Sequence, residues 1–276
     1  MRIHHLNGGT LHPATGRLSS KHREILERGE MVCHCLLVEL PDGLMLADTG
    51  IGLVDIAVPL RRLGPAFLAL MRPELDAKQT LARQVEALGH RREDVRHVVL
   101  THLDPEHAGG LADFSEARVH LLAAEYRAAA QTPRWLPGQR YRSMQWAHGP
   151  HLELYFPSGP DWFGFPAVAD LRGLPPEVRL VSLPGHSPGH AGIALKQNER
   201  WLLLAGDALL HPIELPALQQ QWERLPLSLD PAATTRQSTA TRLKALGYEH
   251  PGEVTVFSSH DASELEACQR QAGPPA

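Results

Sequence analysis

Thr101-His102-Leu103-Asp104-Pro105-Glu106-His107-Ala108-Gly109-Gly110 follows directly on the apolar run Val98-Val99-Leu100. Residues 102–107 carry two imidazoles and two carboxylates. The apolar run reads as a strand, and strand ends are where α/β folds place their chemistry. That position favours a metal site or an active-site loop over a solvated turn, although Asp in particular is also common in ordinary turns.

Outward from this stretch, residues 31–40 and 44–47 are apolar and β-compatible, separated by Pro41-Asp42-Gly43, a hairpin signal. The second run leads into Asp48-Thr49-Gly50, which brings Asp48 to the same sheet end as the motif, either as an acid supporting the site or as a turn cap. Residues 51–73 place Leu60, Leu63, Phe67, Leu68 and Met71 near helical spacing, a face that packs, covers a pocket or joins a second copy of the chain in a homodimer. Helices are expected over 79–88, ahead of Gly89, and over 123–131, with strands at 95–100 and 119–122. Alternating strands and helices imply sheets with helices packed on them. Residues 126–165 hold nine of the fifteen aromatics among Pro and Gly, too irregular for sheet, and read as an insertion forming a substrate wall, a local aromatic core or both.

The second half repeats the pattern. A strand at 178–183 ends in Pro184-Gly185-His186-Ser187-Pro188-Gly189-His190, a hairpin around Asn198 ends at Gly206-Asp207, and a strand at 254–257 ends in Ser258-Ser259-His260-Asp261. Residues 212–229 read as loop with a short helix, 234–246 as a helix with Leu243 and Leu246 facing the core, and 268–276 as a frayed tail after one domain spanning 1–267.

Composition limits the function. The chain has 276 residues, 43% of them hydrophobic, enough for a full core. A net charge of -4 with scattered Lys and Arg offers no field for nucleic acid. No apolar run is long enough to span a membrane, and Met1-Arg2-Ile3-His4-His5 lacks a secretory apolar core, so a cytoplasmic setting is expected. Three cysteines, Cys33, Cys35 and Cys268, make no disulfide framework, and Cys33 and Cys35 read as buried thiols on one strand face. Seventeen histidines are the compositional hint of metal chemistry.

Together, the four strand ends resemble the metallo-β-lactamase fold, whose motifs are H-x-H-x-D-H, a later G-H-[ST]-x-G-H, a G-D after a strand and a final His. The match runs from Asp48 to His260, and the Gly109-Gly110-Leu111 continuation is most similar to the lactonase-like hydrolases, including acyl-homoserine lactonases. The resemblance implies a four-layer αβ/βα sandwich with metals at one edge of the sheets. It also implies two divalent ions, zinc first, with iron or manganese as alternatives. Asp207 would bridge them, His102, Asp104 and His186 would complete one site, and Glu106, His107 and His260 the other. His190 would support the site or sit in an ordinary turn. Asp104, Glu106 and Asp207 are the candidate catalytic carboxylates.

In such a site two ions about 3.5–4 Å apart share a hydroxide and polarise a carbonyl or phosphoryl oxygen. The sequence departs from the family at two positions, with Asp104 where a histidine is usual and Glu106 where an aspartate is usual. The ligand set thus gains one negative charge, which is expected to weaken Lewis acidity and to make the site more tolerant of iron or manganese than an all-histidine first site. The leading expectation is a hydrolase of a small-molecule lactone, ester or related acyl bond. The alternatives are phosphodiester or thioester hydrolysis, for which Arg134, Arg140 and Arg142 would have to face the metals, and a non-catalytic metal-binding sensor.

Overall fold

The computed structural model describes residues 1–13, 30–132, 140–209 and 231–272. Two sheets form the centre. The first has six strands in sequence order: β1 (Arg2–Leu11), β2 (Met31–Leu40), β3 (Gly43–Ala47), β4 (Val95–Val99), β5 (Arg118–Leu122) and β6 (His151–Tyr155). β1, β2 and β3 are antiparallel neighbours, whereas β3 to β6 run parallel. The second sheet has the order β11-β10-β9-β8-β7, from β7 (Ala167–Val168), β8 (Val178–Ser182), β9 (Ala191–Gln197), β10 (Arg200–Leu204) and β11 (Val254–Phe257). Its outer pair, β10 and β11, is parallel.

Side-chain alternation along the strands produces the layers. Leu36, Val38, Met45, Ala47 and Val99 from the first sheet pack with Leu180, Ile193, Leu195, Leu204 and Phe257 from the second, so the sheets meet face to face. The intervening residues Cys35, Leu37, Leu44, Leu46, Val98 and Leu100 point the other way. They are covered by Leu81 and Val85 of the helix Leu81–Ala87. Behind the second sheet, Val181, Ala194 and Leu203 meet Ala240, Leu243 and Leu246 of the helix Pro231–Glu249. β2 is buried on both faces along most of its length and is therefore nearly continuous in hydrophobicity, which is why 31–40 was readable, whereas β11 fully buries only Val254 and Phe257. The four-layer α/β sandwich inferred from the motifs is the architecture observed.

Helices take the labels α1 (Leu53–Ala57), α2 (Pro59–Arg62), α3 (Pro65–Met71), α4 (Leu81–Ala87), α5 (Pro105–Ala108), α6 (Ala123–Gln131), α7 (Pro231–Glu249) and α8 (Ala262–Ala272). α4 starts later than its periodicity suggests because Thr80 caps it, its hydroxyl accepting from Arg83 N. Residues 51–73 form three short helices whose faces divide. Phe67 and Met71 pack on Leu11, Met31 and Cys33, while Leu60 and Leu70 are exposed.

Several expectations change. The aromatic stretch contains regular sheet, since β6 extends the first sheet beside β5. Three of its described aromatics are core, Tyr141 behind the first sheet and Trp162 and Phe165 behind the second, while Tyr126, Trp146, Tyr155 and Phe163 are partly buried against the core and Phe156 is exposed. The tail expected from Cys268 is helical to Ala272, anchored by buried Leu265 against Val32 and by Gln269 Nε2 donating to His5 O. Trp135, Arg134, 212–229 and 273–276 lie outside the described residues. The three cysteines are free.

Two buried histidine pairs brace the first sheet. His5 Nδ1 lies 2.8 Å from His34 Nε2, and His97 Nδ1 lies 2.9 Å from His120 Nε2, whose Nδ1 faces the Tyr155 hydroxyl at 2.9 Å. Burial first, then neighbouring histidines, pushes His5 down to about 4 and His120 to about 3, from 6.5. The unfolded chain therefore takes up these protons first as pH falls. Stability from this source is full above pH 6.5 and is lost below it, by about 1.4 kcal/mol per pH unit for each such histidine. Urea unfolding of metal-stripped protein between pH 6.5 and about 4.5 should show this slope. His120→Phe should make it shallower by about 1.4 kcal/mol per pH unit, and an unchanged slope would contradict the assignment.

Candidate metal centre

β4 ends at Val99, and the chain turns into the motif under the control of Asp48. This residue follows β3 in a left-handed conformation (φ 57°) and is fully buried. Its carboxylate accepts from Thr101 N and the Thr101 hydroxyl, each at 2.8 Å, and from His107 Nδ1 at 2.8 Å. A non-glycine residue at positive φ is costly, and here that backbone aims a carboxylate at three donors. Because the Thr101 hydroxyl donates to Asp48, it accepts from His102 Nδ1 at 2.9 Å. Both histidines thus carry hydrogen on Nδ1 and turn Nε2 inward. Asp48 is the supporting acid of the two readings. Asp104 occupies the cap position of α5, with Pro105 setting the first helical φ, yet its side chain makes no capping bond. The carboxylate points into the site instead.

The other loops arrive from the second sheet. His260, after β11, donates from Nδ1 to Val32 O at 2.8 Å, which again leaves Nε2 facing inward. His190 donates to Leu183 O and accepts from Asp207 N at 3.0 Å, so it holds the Asp207 backbone and is not among the converging groups. Gly206 (φ 57°) permits that approach, since a Cβ there would lie 2.6 Å from His190 Nε2.

The result is two clusters, His102, Asp104, His186 and Asp207 in one, and Glu106, His107 and His260 in the other. Within each, one ligand atom per residue lies within 4.8 Å of all the others. Asp207 faces both: Oδ2 lies 3.2 Å from His186 Nε2, and Oδ1 lies 3.3 Å from His107 Nε2 and 3.1 Å from His260 Nε2. Four buried atoms here, His102 Nε2, Glu106 Oε2, His107 Nε2 and Asp207 Oδ1, lack a hydrogen-bond partner. Buried polar atoms are rarely left unpartnered, and imidazole nitrogens and carboxylate oxygens converging this way fit divalent cations.

Electrostatics agree with the geometry. Burial opposes ionisation of Asp207, yet His260, His107 and His186 hold its carboxyl well below the usual range. Asp104 is likewise held low against burial, by His102, His186 and Arg140. Glu106 is pushed up by burial and by Asp104, and His107 is raised despite burial by Asp207 and Asp48. Burial brings His186 down to about 4.

Two residues beyond the motifs shape the site. Glu125, fully buried in the first turn of α6, accepts from Leu103 N at 3.1 Å through Oε1, and from the Ser187 hydroxyl at 2.6 Å and Gly189 N at 3.2 Å through Oε2. It ties the loop carrying His102 to the loop carrying His186. The sequence offered no signal for this, because an acid in a helix's first turn is commonplace. Arg140 forms a forked pair with Asp104 and also donates to His186 O. Arg142 instead donates to Arg61 O and Arg62 O, away from the clusters.

A family model described as the Metallo-beta-lactamase superfamily matches residues 28–260. The Probable metallo-hydrolase Rv2300c of Mycobacterium tuberculosis is 39% identical over 267 residues, covering 95% of this chain and 80% of the relative. The N-acyl homoserine lactonase AttM of Rhizobium radiobacter is 28% identical over 228 residues, 82% of this chain and 80% of the relative. Among solved structures, an N-acyl homoserine lactone hydrolase with the product N-hexanoyl-L-homoserine at its catalytic metal center superposes with a TM-score of 0.69. That structure is 20% identical, with 97% of this chain and 96% of the other covered.

Asp48→Asn should lower affinity for zinc by about 10–100-fold, the usual effect of losing a carboxylate that orients a metal-binding histidine. Chelator competition on stripped protein with unchanged circular dichroism would show it. Wild-type affinity in the variant would remove Asp48 from this role.

Proposed function

The chain belongs to the metallo-β-lactamase superfamily, and from that premise we propose that it is a dinuclear metal-dependent hydrolase acting on a lactone, ester or related acyl bond of a small molecule. The observation that carries the reading is the Asp207 carboxylate, which directs one oxygen to each cluster. In this reading His102, Asp104, His186 and Asp207 would hold one ion, and Glu106, His107 and His260, with Asp207 beside them, would hold the other. Four imidazoles and three carboxylates without a thiolate suit zinc first, with iron or manganese as alternatives.

When bound, such a pair supplies a water acidified to near-neutral pKa and an electrophile for the carbonyl oxygen. The chain's own groups do the rest. Asp48, Thr101 and Val32 O hold three imidazoles in the tautomer that presents Nε2. Glu125 fixes the spacing of the two loops. Asp104, Glu106 and Asp207 would be the catalytic carboxylates, and Glu106, the one of the three whose carboxyl is raised, is suited to take the proton released as water adds to the carbonyl and to return it to the departing oxygen.

The kinship with proteins named as lactonases supports an acyl substrate. Phosphodiester or glutathione thioester cleavage would call for several basic groups free to face the metals; Arg236 stands close enough to feel the charges of Asp207 and Arg140, but the two arginines weighed beside it are already taken up. Arg140 is engaged by Asp104, and Arg142 by backbone carbonyls. Among the described residues no helix is long and apolar enough to cross a membrane. With three free cysteines, that is consistent with the cytoplasmic setting proposed here.

Zinc- and manganese-loaded protein assayed on lactones, aryl esters and phosphodiesters should turn over the first two classes. Asp207→Ala should bind fewer than two metal equivalents and lose activity on the order of a thousandfold, the several kcal/mol of Lewis-acid stabilisation. Turnover of phosphodiesters alone, or none above free metal, would overturn the acyl-hydrolase reading.

A further inference from the structure

Asp104 is where the sequence departs from H-x-H-x-D-H, and its immediate neighbour in space is a guanidinium. Arg140 Nε lies 2.7 Å from Asp104 Oδ1 and Nη2 lies 2.8 Å from Oδ2, the forked geometry that arginine forms with a carboxylate and lysine cannot. The third nitrogen, Nη1, donates to His186 O, so one side chain grips two of the three loops that supply the first cluster. Asp104 Oδ2, held by Nη2, also lies 3.2 Å from His102 Nε2 and 3.1 Å from His186 Nε2. The oxygen that the arginine fixes is therefore the one turned toward the cluster.

We propose that Asp104 and Arg140 act as a single neutral unit at the first metal position, with Arg140 a positioning residue that aims Oδ2 and cancels the extra charge of the carboxylate. The inference rests on the metal reading of the site given above. Three carboxylates against two divalent ions leave one net positive charge, and the guanidinium returns the balance to two. That is the balance expected with a neutral imidazole at 104. With such a unit the weaker Lewis acid anticipated from the sequence would not arise. The counter-charge stands outside the ligand set but in direct contact with it, and the side chain of Arg140, 35% exposed, shields Asp104, 10% exposed, from solvent. Each of the three Arg140 nitrogens thus donates one hydrogen bond to the protein.

A unit of this kind predicts coupling. Stripped wild-type protein, Asp104→His, Arg140→Met and the double variant would be titrated with zinc against a chromophoric chelator. Asp104→His alone should weaken binding at the first site by about tenfold or more, because it leaves an unpaired guanidinium beside a dication. Adding Arg140→Met should bring affinity back to within about threefold of wild type, since the neutral unit is then replaced by a neutral imidazole. Urea midpoints of the metal-free proteins separate this from general destabilisation. Should Arg140→Met fail to fold, Asp104→His with Arg140→Lys keeps the positive charge and should show no recovery. Effects that simply add overturn the unit while leaving the metal reading intact. Wild-type protein that binds neither zinc nor manganese overturns the metal reading and the unit with it.

Discussion

Asp104, Glu106 and Asp207 are taken out of water together, and the rest of the site follows from that constraint. Each is nearly buried, and burial by itself drives a carboxyl toward its neutral form. Asp104 and Asp207 nonetheless stay ionised, because imidazoles and Arg140 crowd around them, whereas at Glu106 burial and the Asp104 charge outweigh His107 and His260 and its carboxyl is raised. The charged groups thus require one another. A cation is the one type of ligand that removes the frustration of the whole set at once, which explains why unpartnered buried atoms collect here.

The two-sheet architecture supplies the place. Strands β3 and β4 of one sheet and β8, β10 and β11 of the other end at the same edge, so turns from distant parts of the chain share a small volume. Glu125 joins loops whose hydrogen-bonded residues are more than sixty positions away from it on one side and about twenty on the other. At Gly189 the loop approaches the α6 backbone so closely that a side chain there would collide with Glu125 N. Asp48 does comparable work within the first half, joining the end of β3 to Thr101 and His107.

How much of this was legible depended on what kind of physics each residue uses. A strand buried on both faces, such as β2, declares itself by its apolar run, and the four strand ends declare themselves by residue type. β1 did not, because His4, His5, Asn7, Gly8 and Gly9 are poor strand formers held by pairing with β2 and by contacts that sequence cannot list. β6 was hidden among aromatics, several of which pack behind the sheets. Asp104 was visible as an added charge, but its counter-ion lies 36 positions later, and only the folded chain brings them together. The same holds for Glu125, an ordinary helix-start acid until the loops close over it.

His260 follows β11, the last strand, which pairs in parallel with β10 across the long connection that includes α7. Parallel pairing over such a separation closes late, since the entropy of loop closure is lost before any contact compensates it. The second cluster is therefore complete only when β11 has joined β10, and a cation held there would stabilise the native state in which that pair is closed. Such a cation would act as a latch on the β10–β11 pair, prolonging the lifetime of the native state.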